Sequence, residues 1–217
     1  MKLAVFGATG RTGVPLVEQA LDRGHAVRAF ARDPDDVETT DDRLTVVAGD
    51  AYTGEGVAQA IAGPDGNAPV DAAVSVLGQT KEGPDDLLTV AGEHILDAMR
   101  AHGVDRFVTL VGAGVREPGE SVSVGGRVMN FLLALVAGEV LDDAEAHVDR
   151  VKSSDAVWTV VRGPRLVNGS YTGNYRHGTE LELGMRDSAT RANVAAFVLD
   201  CIEGDSYHTE MPKVTDG

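Results

Sequence analysis

The first thirteen residues constrain this chain more than any others. A short apolar run, Leu3-Ala4-Val5-Phe6, turns directly into Gly7-Ala8-Thr9-Gly10-Arg11-Thr12-Gly13 and then into a helical pattern. A buried parallel strand ending in a glycine turn aims the N–H groups of the next helix at an anion, and glycine lets that backbone approach a pyrophosphate closely. In a chain with 26 glycines the spacing alone is weak evidence, so context decides. Pro15 suits a first helical turn, Val14, Leu16, Val17, Ala20 and Leu21 recur at helical spacing, and Gly24 stops the helix. The sequence predicts a nucleotide site here, with Gly7, Thr9, Gly10, Arg11, Thr12 and Gly13 around the phosphates.

Apolar runs at Ala26–Phe30, Leu44–Val47, Val70–Leu77, Phe107–Val111 and Val157–Val161 alternate with helical or turn-rich segments. That alternation is the βαβ signature of a doubly wound parallel sheet in three α/β/α layers. At 217 residues the chain suits one domain, 1–217, and the Gly63–Pro69 stretch is expected as an extended surface loop without a boundary. A helix from about Pro84 to Ala101 opens beside Asp85 and Asp86, carries Leu87, Leu88, Ala91, Ile95 and Met99 on one face, and stops at Gly103. Leu181-Glu182-Leu183 is expected as a strand and Arg191–Glu203 as a helix, with a Gly- and Tyr-containing loop over Asn168–Gly178. Elements from about 112–138 and 163–190 would form the substrate side. Val128–Val136 is apolar on all sides, as expected of a pocket lid, a dimer contact or plain core.

The formal charge is −15, with 34 Asp and Glu against 19 Lys and Arg, only 4 of them Lys. Such a surface repels phosphate backbones and argues against nucleic-acid partners. The acidic residues cluster at turns and helix ends, as in Asp33, Asp35, Asp36, Glu38, Asp41 and Asp42, and form a coat suited to molar salt, where screening removes self-repulsion. The lone Cys201 sits in an apolar helical stretch, in keeping with a reducing compartment. No signal peptide is visible, and the longest apolar stretch, Phe131–Ala137, is too short to span a bilayer; a soluble, cytoplasmic monomer or homodimer is expected. The six histidines (25, 94, 102, 147, 177, 208) show no metal-ligand spacing. His147 is expected as a half-exposed helical residue.

In βαβ nucleotide sites an acidic residue after the second strand holds the ribose 2′-hydroxyl of NAD, whereas an Arg nearby pairs the 2′-phosphate of NADP. The second strand is followed by Ala31-Arg32-Asp33. Arg32 is the candidate for the 2′-phosphate, with Arg11 inside the glycine loop as a second cation and Arg28 ranked lower if it points to the opposite strand face. NADP is therefore preferred; Asp33 keeps NAD as the alternative, and pairing of Arg32 with Asp35 or Asp36 would remove the argument.

Gly7-Ala8-Thr9-Gly10-x-x-Gly13, Ala31-Arg32-Asp33, Val47-Ala48-Gly49-Asp50, Val76-Leu77-Gly78 and Val157-Trp158-Thr159-Val160-Val161-Arg162-Gly163-Pro164 together resemble the atypical short-chain dehydrogenase/reductases, over essentially the whole chain. Ala101-His102-Gly103-Val104-Asp105 and Thr172-Gly173-Asn174-Tyr175 resemble the NmrA-like and flavin reductase (biliverdin reductase B) branch. The resemblance implies a Rossmann fold in which Gly49 and Asp50 approach the adenine and Leu77 and Gly78 pass under the cofactor. Loops after the fourth, fifth and sixth strands would frame the nicotinamide, with Gly78, Gln79, Thr80, Gly112, Ala113, Pro164 and Arg165 lining that pocket and Lys81 close by.

The departures from that group are informative. Its Tyr-x-x-x-Lys acid/base pair is missing, because Tyr52, Tyr171, Tyr175 and Tyr207 are followed four positions later by Gly56, Tyr175, Thr179 and Met211. Polar residues of the flavin reductase branch fall at Gly112, Val148 and Arg165. No catalytic residue is assigned. Alcohol oxidation and epimerisation need a positioned base, so they rank below hydride transfer to an acceptor that draws its proton from solvent. The expectation is an NADPH-dependent reductase of a flavin-, quinone- or tetrapyrrole-like small molecule, and the alternative is a non-catalytic NADP(H)-sensing regulator of the NmrA type.

Overall fold

The computed structural model describes residues 1–66, 68–79, 83–117, 120, 139–184, 186–204 and 206–217. The apolar runs form β1 (Lys2–Phe6), β2 (Ala26–Ala31), β3 (Leu44–Ala48), β4 (Ala72–Ser75), β5 (Arg106–Gly112) and β6 (Val157–Gly163). Between and after them lie α1 (Gly13–Asp22), α2 (Val57–Ala62), α3 (Leu87–His102), α4 (helical residues 139–152) and α5 (Arg191–Glu203). Short strands β7 (Arg165–Val167), β8 (Tyr175–Gly178), β9 (Ser188–Thr190) and β10 (Lys213–Asp216) complete the described elements.

The main sheet has eight strands in the order β3-β2-β1-β4-β5-β6-β10-β8, and only β8 runs antiparallel to its neighbour. A separate two-stranded sheet joins β7 to β9. Because the chain passes from the β3 edge back across β1 to β4, the order reverses between β1 and β4. Ligands of open α/β sheets bind at such a switch point, beyond the carboxyl ends of the strands. Strands buried on both faces have apolar residues at successive positions, as in Leu3, Ala4, Val5 and Phe6, each fully buried. One core lies on the side of α2, α3 and α4, with Phe6, Ile61, Ile95, Phe107 and Val151. The other lies under α1 and α5, with Leu3, Leu16, Val108, Phe197 and Leu199. This is the doubly wound α/β architecture expected from the alternation.

Several expectations need correction. Leu181–Leu183 is not a strand: the segment is folded by turns, with Gly184 N donating to Asp187 Oδ2 at 2.8 Å, and the ladder positions fall to β8 and β9 on either side. β8 lies inside the stretch expected as loop, because β10 offers it an unpaired edge through Asp216↔Tyr175. The Gly63–Pro69 region does not run extended: Ala68 N returns to Ala62 O at 3.0 Å and Gly66 N to Gly63 O at 3.0 Å. Buried Arg28 holds this turn, donating to Ala60 O, Ile61 O and Ala68 O. Arg28 thus caps the end of α2 and is occupied there. The Val128–Val136 segment, Thr80 and Lys81 lie outside the described residues.

Candidate nucleotide site

The glycine loop owes its shape to backbone contact. Gly7 leaves β1 at φ +85°, a left-handed conformation that disfavours side chains, and its Cβ position lies 3.0 Å from the Val76 carbonyl at the end of β4. Gly10 N donates to Gly7 O at 3.0 Å, closing the turn. A Cβ on Gly13 would stand 1.9 Å from Gly7 O, so only glycine lets α1 start this close to the strand. Thr12 precedes α1 as its cap residue but makes no side-chain cap bond, so its hydroxyl is not spent on the helix terminus. The loop thus joins the expected residues Gly7, Thr9, Gly10, Arg11, Thr12 and Gly13 to Val76 and Leu77, on the β1/β4 side of the switch point.

A second pair of close approaches shapes the β2/β3 end. Asp50 N donates to Glu55 O at 3.0 Å, bending the chain after β3. Gly49 sits inside this bend: a Cβ there would meet Glu55 O at 2.2 Å and the Phe30 ring at 2.7 Å. Beyond it opens a cleft of about 300 Å³ lined by Arg32, Ala48, Gly49, Asp50 and Glu55. The structure therefore brings Arg32 together with Gly49 and Asp50, and adds Glu55, which sequence reasoning missed. Arg32 makes no ion pair with Asp35 or Asp36; Asp33 spends its Oδ1 on Asp35 N at 3.0 Å, capping the 3₁₀ turn Pro34–Asp36. Asp50 accepts from Tyr52 N at 2.8 Å in a local turn, well ahead of α2.

At the β4, β5 and β6 ends the ground is open. Among the described residues, and leaving aside their own chain neighbours, neither Gly78 nor Gly112 has an atom within 4 Å of the position a Cβ would occupy. Gly112 pairs with Gly163 across β5 and β6, Ala113 N donates to Gly163 O at 2.7 Å, and Pro164 and exposed Arg165 follow directly. Gln79 is turned toward the protein: its amide donates to Asp143 at 2.7 Å and to Asp85 O at 2.5 Å. Asp143 on α4 also accepts from Leu88 N at 2.8 Å and Thr89 N at 2.9 Å. The first turn of α3 is therefore capped by another helix, and Asp86 at its own cap position makes no cap bond. The loop after β5 is held at Glu120, which accepts from fully buried Arg162 at 2.6 Å and from Lys213. Burial works to raise the Glu120 carboxyl, but Lys213 and Arg162 outweigh it and hold it at about 2.

His147 corrects another expectation. It is 2% exposed, not half-exposed, because α4 turns it onto β5, where Nε2 shares a 3.0 Å hydrogen bond with Thr109 Oγ1. Gly92 on α3 makes the room, since a Cβ there would lie 2.4 Å from His147 Nδ1. That Nδ1 has no hydrogen bond of normal geometry, although the Leu88 carbonyl is near enough to favour its protonation slightly. Burial, outweighing the pull of Asp143, lowers His147 to about 4 and keeps the ring neutral. Cys201 is likewise a core residue, its thiol pushed up to about 12 by burial.

The cradle at Gly7–Gly13, the cleft at Arg32 and the bare glycines at the ends of β4 and β5 fit an extended dinucleotide laid across the switch point. A family described as NAD(P)H-binding matches residues 7–205. This chain belongs to the NAD(P)H-binding family. An uncharacterized chloroplastic protein of Arabidopsis thaliana is 30% identical over 178 residues, 80% of this chain and 62% of the relative. A 3-beta-hydroxysteroid dehydrogenase of Mycolicibacterium neoaurum is 32% identical over 136 residues, 60% of this chain and 37% of the relative. This NAD(P)H-binding chain thus spans less than two thirds of either curated relative. Among solved structures, anaerobillin reductase ChuY of Escherichia coli superposes with a TM-score of 0.81 at 20% identity, covering 100% of this chain and 97% of that one. The oxidoreductase ylbE of Lactococcus lactis gives 0.80 at 17% identity, with 100% and 91% covered. At these identities the likeness shows the shared Rossmann-like fold. No helix among the described residues is long and apolar enough to cross a membrane.

Proposed function

We propose that this protein is an NADPH-dependent reductase of flavin-, quinone- or tetrapyrrole-like acceptors, within the NmrA-like and flavin reductase branch of the atypical short-chain dehydrogenases. The observation that carries the cofactor preference is the placing of two neighbours: Arg32 lines the cleft and makes no ion pair among the described residues, while Asp33 is not part of that lining and gives one oxygen to its own turn. An unpaired guanidinium there favours a 2′-phosphate, and an acidic residue outside the cleft lining is less well placed to hold a 2′-hydroxyl. When bound, the nicotinamide supplies a hydride. Gly7–Gly13 would bind the phosphates, Arg32 would orient the ribose phosphate, and Gly78 and Gly112 leave space for a flat acceptor against the ring.

Among the described residues, the groups able to move a proton near this end are tied into packing, as Asp143 and His147 are. That favours an acceptor whose second step is protonation from solvent, so the chain supplies mainly proximity and orientation. The same observation favours a second reading, a non-catalytic NADP(H)-sensing regulator. The test is NADPH absorbance decay with FMN, riboflavin, quinones and biliverdin, at low salt and in the molar KCl that the acidic coat suits. Turnover establishes the reductase, whereas a flat trace from protein that binds NADPH establishes the regulator. Arg32→Gln should weaken NADPH about 10- to 100-fold and leave NADH unchanged; equal effects on both would sink the NADP assignment.

A further inference from the structure

Helices α1 and α5 lie side by side and in step. Gln19 Nε2 donates to Ala192 O at 2.9 Å, and four residues on, Arg23 Nη2 donates to Ala196 O at 3.4 Å. Equal steps along both helices mean that they run parallel, so both N-termini face the glycine loop. Side chains of a helix lean toward its N-terminus. Arg191, the first residue of α5, is thereby carried toward Arg11, which stands two residues ahead of α1.

The Arg191 guanidinium is fixed by a neutral partner, Nη1 donating to Asn168 Oδ1 at 2.8 Å. Neither Arg11 nor Arg191 takes part in an ion pair among the described residues, although the chain carries a net charge of −15. Burial first, and then the like charge of Arg11, pull Arg191 below the usual arginine value. Two cations held together without a counter-ion disfavour each other. An anion between them reverses the sign of that interaction, and paired guanidinium forks match a phosphate.

We propose that Arg11 and Arg191 form a two-arginine clamp for a phosphate group beside the glycine loop, distinct from the 2′-phosphate site at Arg32. This rests on the nucleotide-binding reading of the loop and assigns Arg11 to a different phosphate from Arg32. The group is either the pyrophosphate of the cofactor or a phosphate borne by the acceptor.

The test uses the full chain and the variants Arg191→Gln, Arg191→Lys and Arg11→Gln, with thermal unfolding to verify folding. If the clamp holds the cofactor, Arg191→Gln and Arg11→Gln each weaken NADPH and NADH alike by about tenfold, and Arg191→Lys recovers part of the loss. If it holds the acceptor, both nucleotide affinities stay unchanged, KM for FMN rises about tenfold and KM for riboflavin does not move. Calorimetric titration of inorganic pyrophosphate separates the clamp from the cofactor assignment. Should the chain bind neither nucleotide, pyrophosphate affinity lost in Arg191→Gln still supports the clamp. Variants that match the parent for nucleotides, FMN and pyrophosphate overturn it, and Arg11→Gln decides the matter if Arg191→Gln fails to fold.

Discussion

The two halves of the sheet reach similar strand geometry by different means. On the β3-β2-β1 side the site is shaped by missing side chains: a Cβ on Gly7, Gly13 or Gly49 would stand only 3.0, 1.9 or 2.2 Å from backbone atoms of Val76, Gly7 or Glu55. On the β5-β6-β10 side it is shaped by buried polar side chains from distant parts of the chain, with Arg162, Glu120 and Lys213 gathering the loop after β5, and Asp143 capping α3 across a gap of more than fifty residues. The lesson is that phosphate binding needs a backbone surface, which glycine supplies locally. The loop after β5 is instead tethered from below, by the charge–charge contacts of Arg162 and Lys213 with Glu120.

The sharpest way to break this contrast is Gly13→Val. Its Cβ would fall 1.9 Å from Gly7 O and 2.8 Å from the Ala8 backbone, neither of which can swing aside. Nucleotide binding should be lost, and unfolding should cost at least about 3 kcal/mol less, read by calorimetry and NADPH titration. Unchanged binding would show that the loop is not the phosphate cradle.

Glu120→Ala should act on the other half only. It removes the carboxylate from Arg162, which is 1% exposed, and should destabilise by about 3 kcal/mol, the low end for a broken buried pair because Met211 O and Val115 O still accept from Arg162. NADPH affinity should change less than acceptor KM. The acid limb sharpens the test. The Glu120 carboxyl lies below its unfolded value, so its contribution is complete above the usual carboxylate range and is lost as pH falls toward about 2. Glu120→Gln should flatten stability against pH in that window, and an unaltered acid limb would remove Glu120 from the tether.

His147 should act in a pH window above that of Glu120. Its folded value of about 4 lies below the ordinary 6.5, so the unfolded chain takes up the proton first as the solution is acidified. Stability should be full above the ordinary value and decline between there and about 4, by at most on the order of 3 kcal/mol. His147→Gln should lower stability at neutral pH yet reduce this slope, as denaturant titrations at several pH values would reveal; the parent slope persisting in the variant would assign the titration elsewhere.

Local pattern made much of this molecule legible. The α1 and α3 stops at Gly24 and Gly103 coincide with φ values of +86° and +66°, and α5 spans Arg191–Glu203 as its apolar run requires. Where the pattern misled, the cause was a partner far away in the chain. Leu181 and Leu183 look like a strand but find no edge to pair with, whereas Tyr175–Gly178 finds β10. His147 looks half-exposed on its own helix until Gly92 and Thr109 enclose it. Glu55 carries no motif signal; it lines the cleft because its own carbonyl closes the bend with Asp50 N.

By itself the sequence determined the alternation of strands and helices, the glycine cradle after β1 and the position of Arg32 at the end of β2. These follow from side-chain periodicity and from the few residues a tight turn accepts, and both are short-range properties. Only the tertiary structure decided that Asp143 caps a helix other than its own and that Arg162 and Lys213 meet at Glu120. Each of these depends on which charges meet after the chain has closed on itself, and the energy of a charge is set by its neighbours in space.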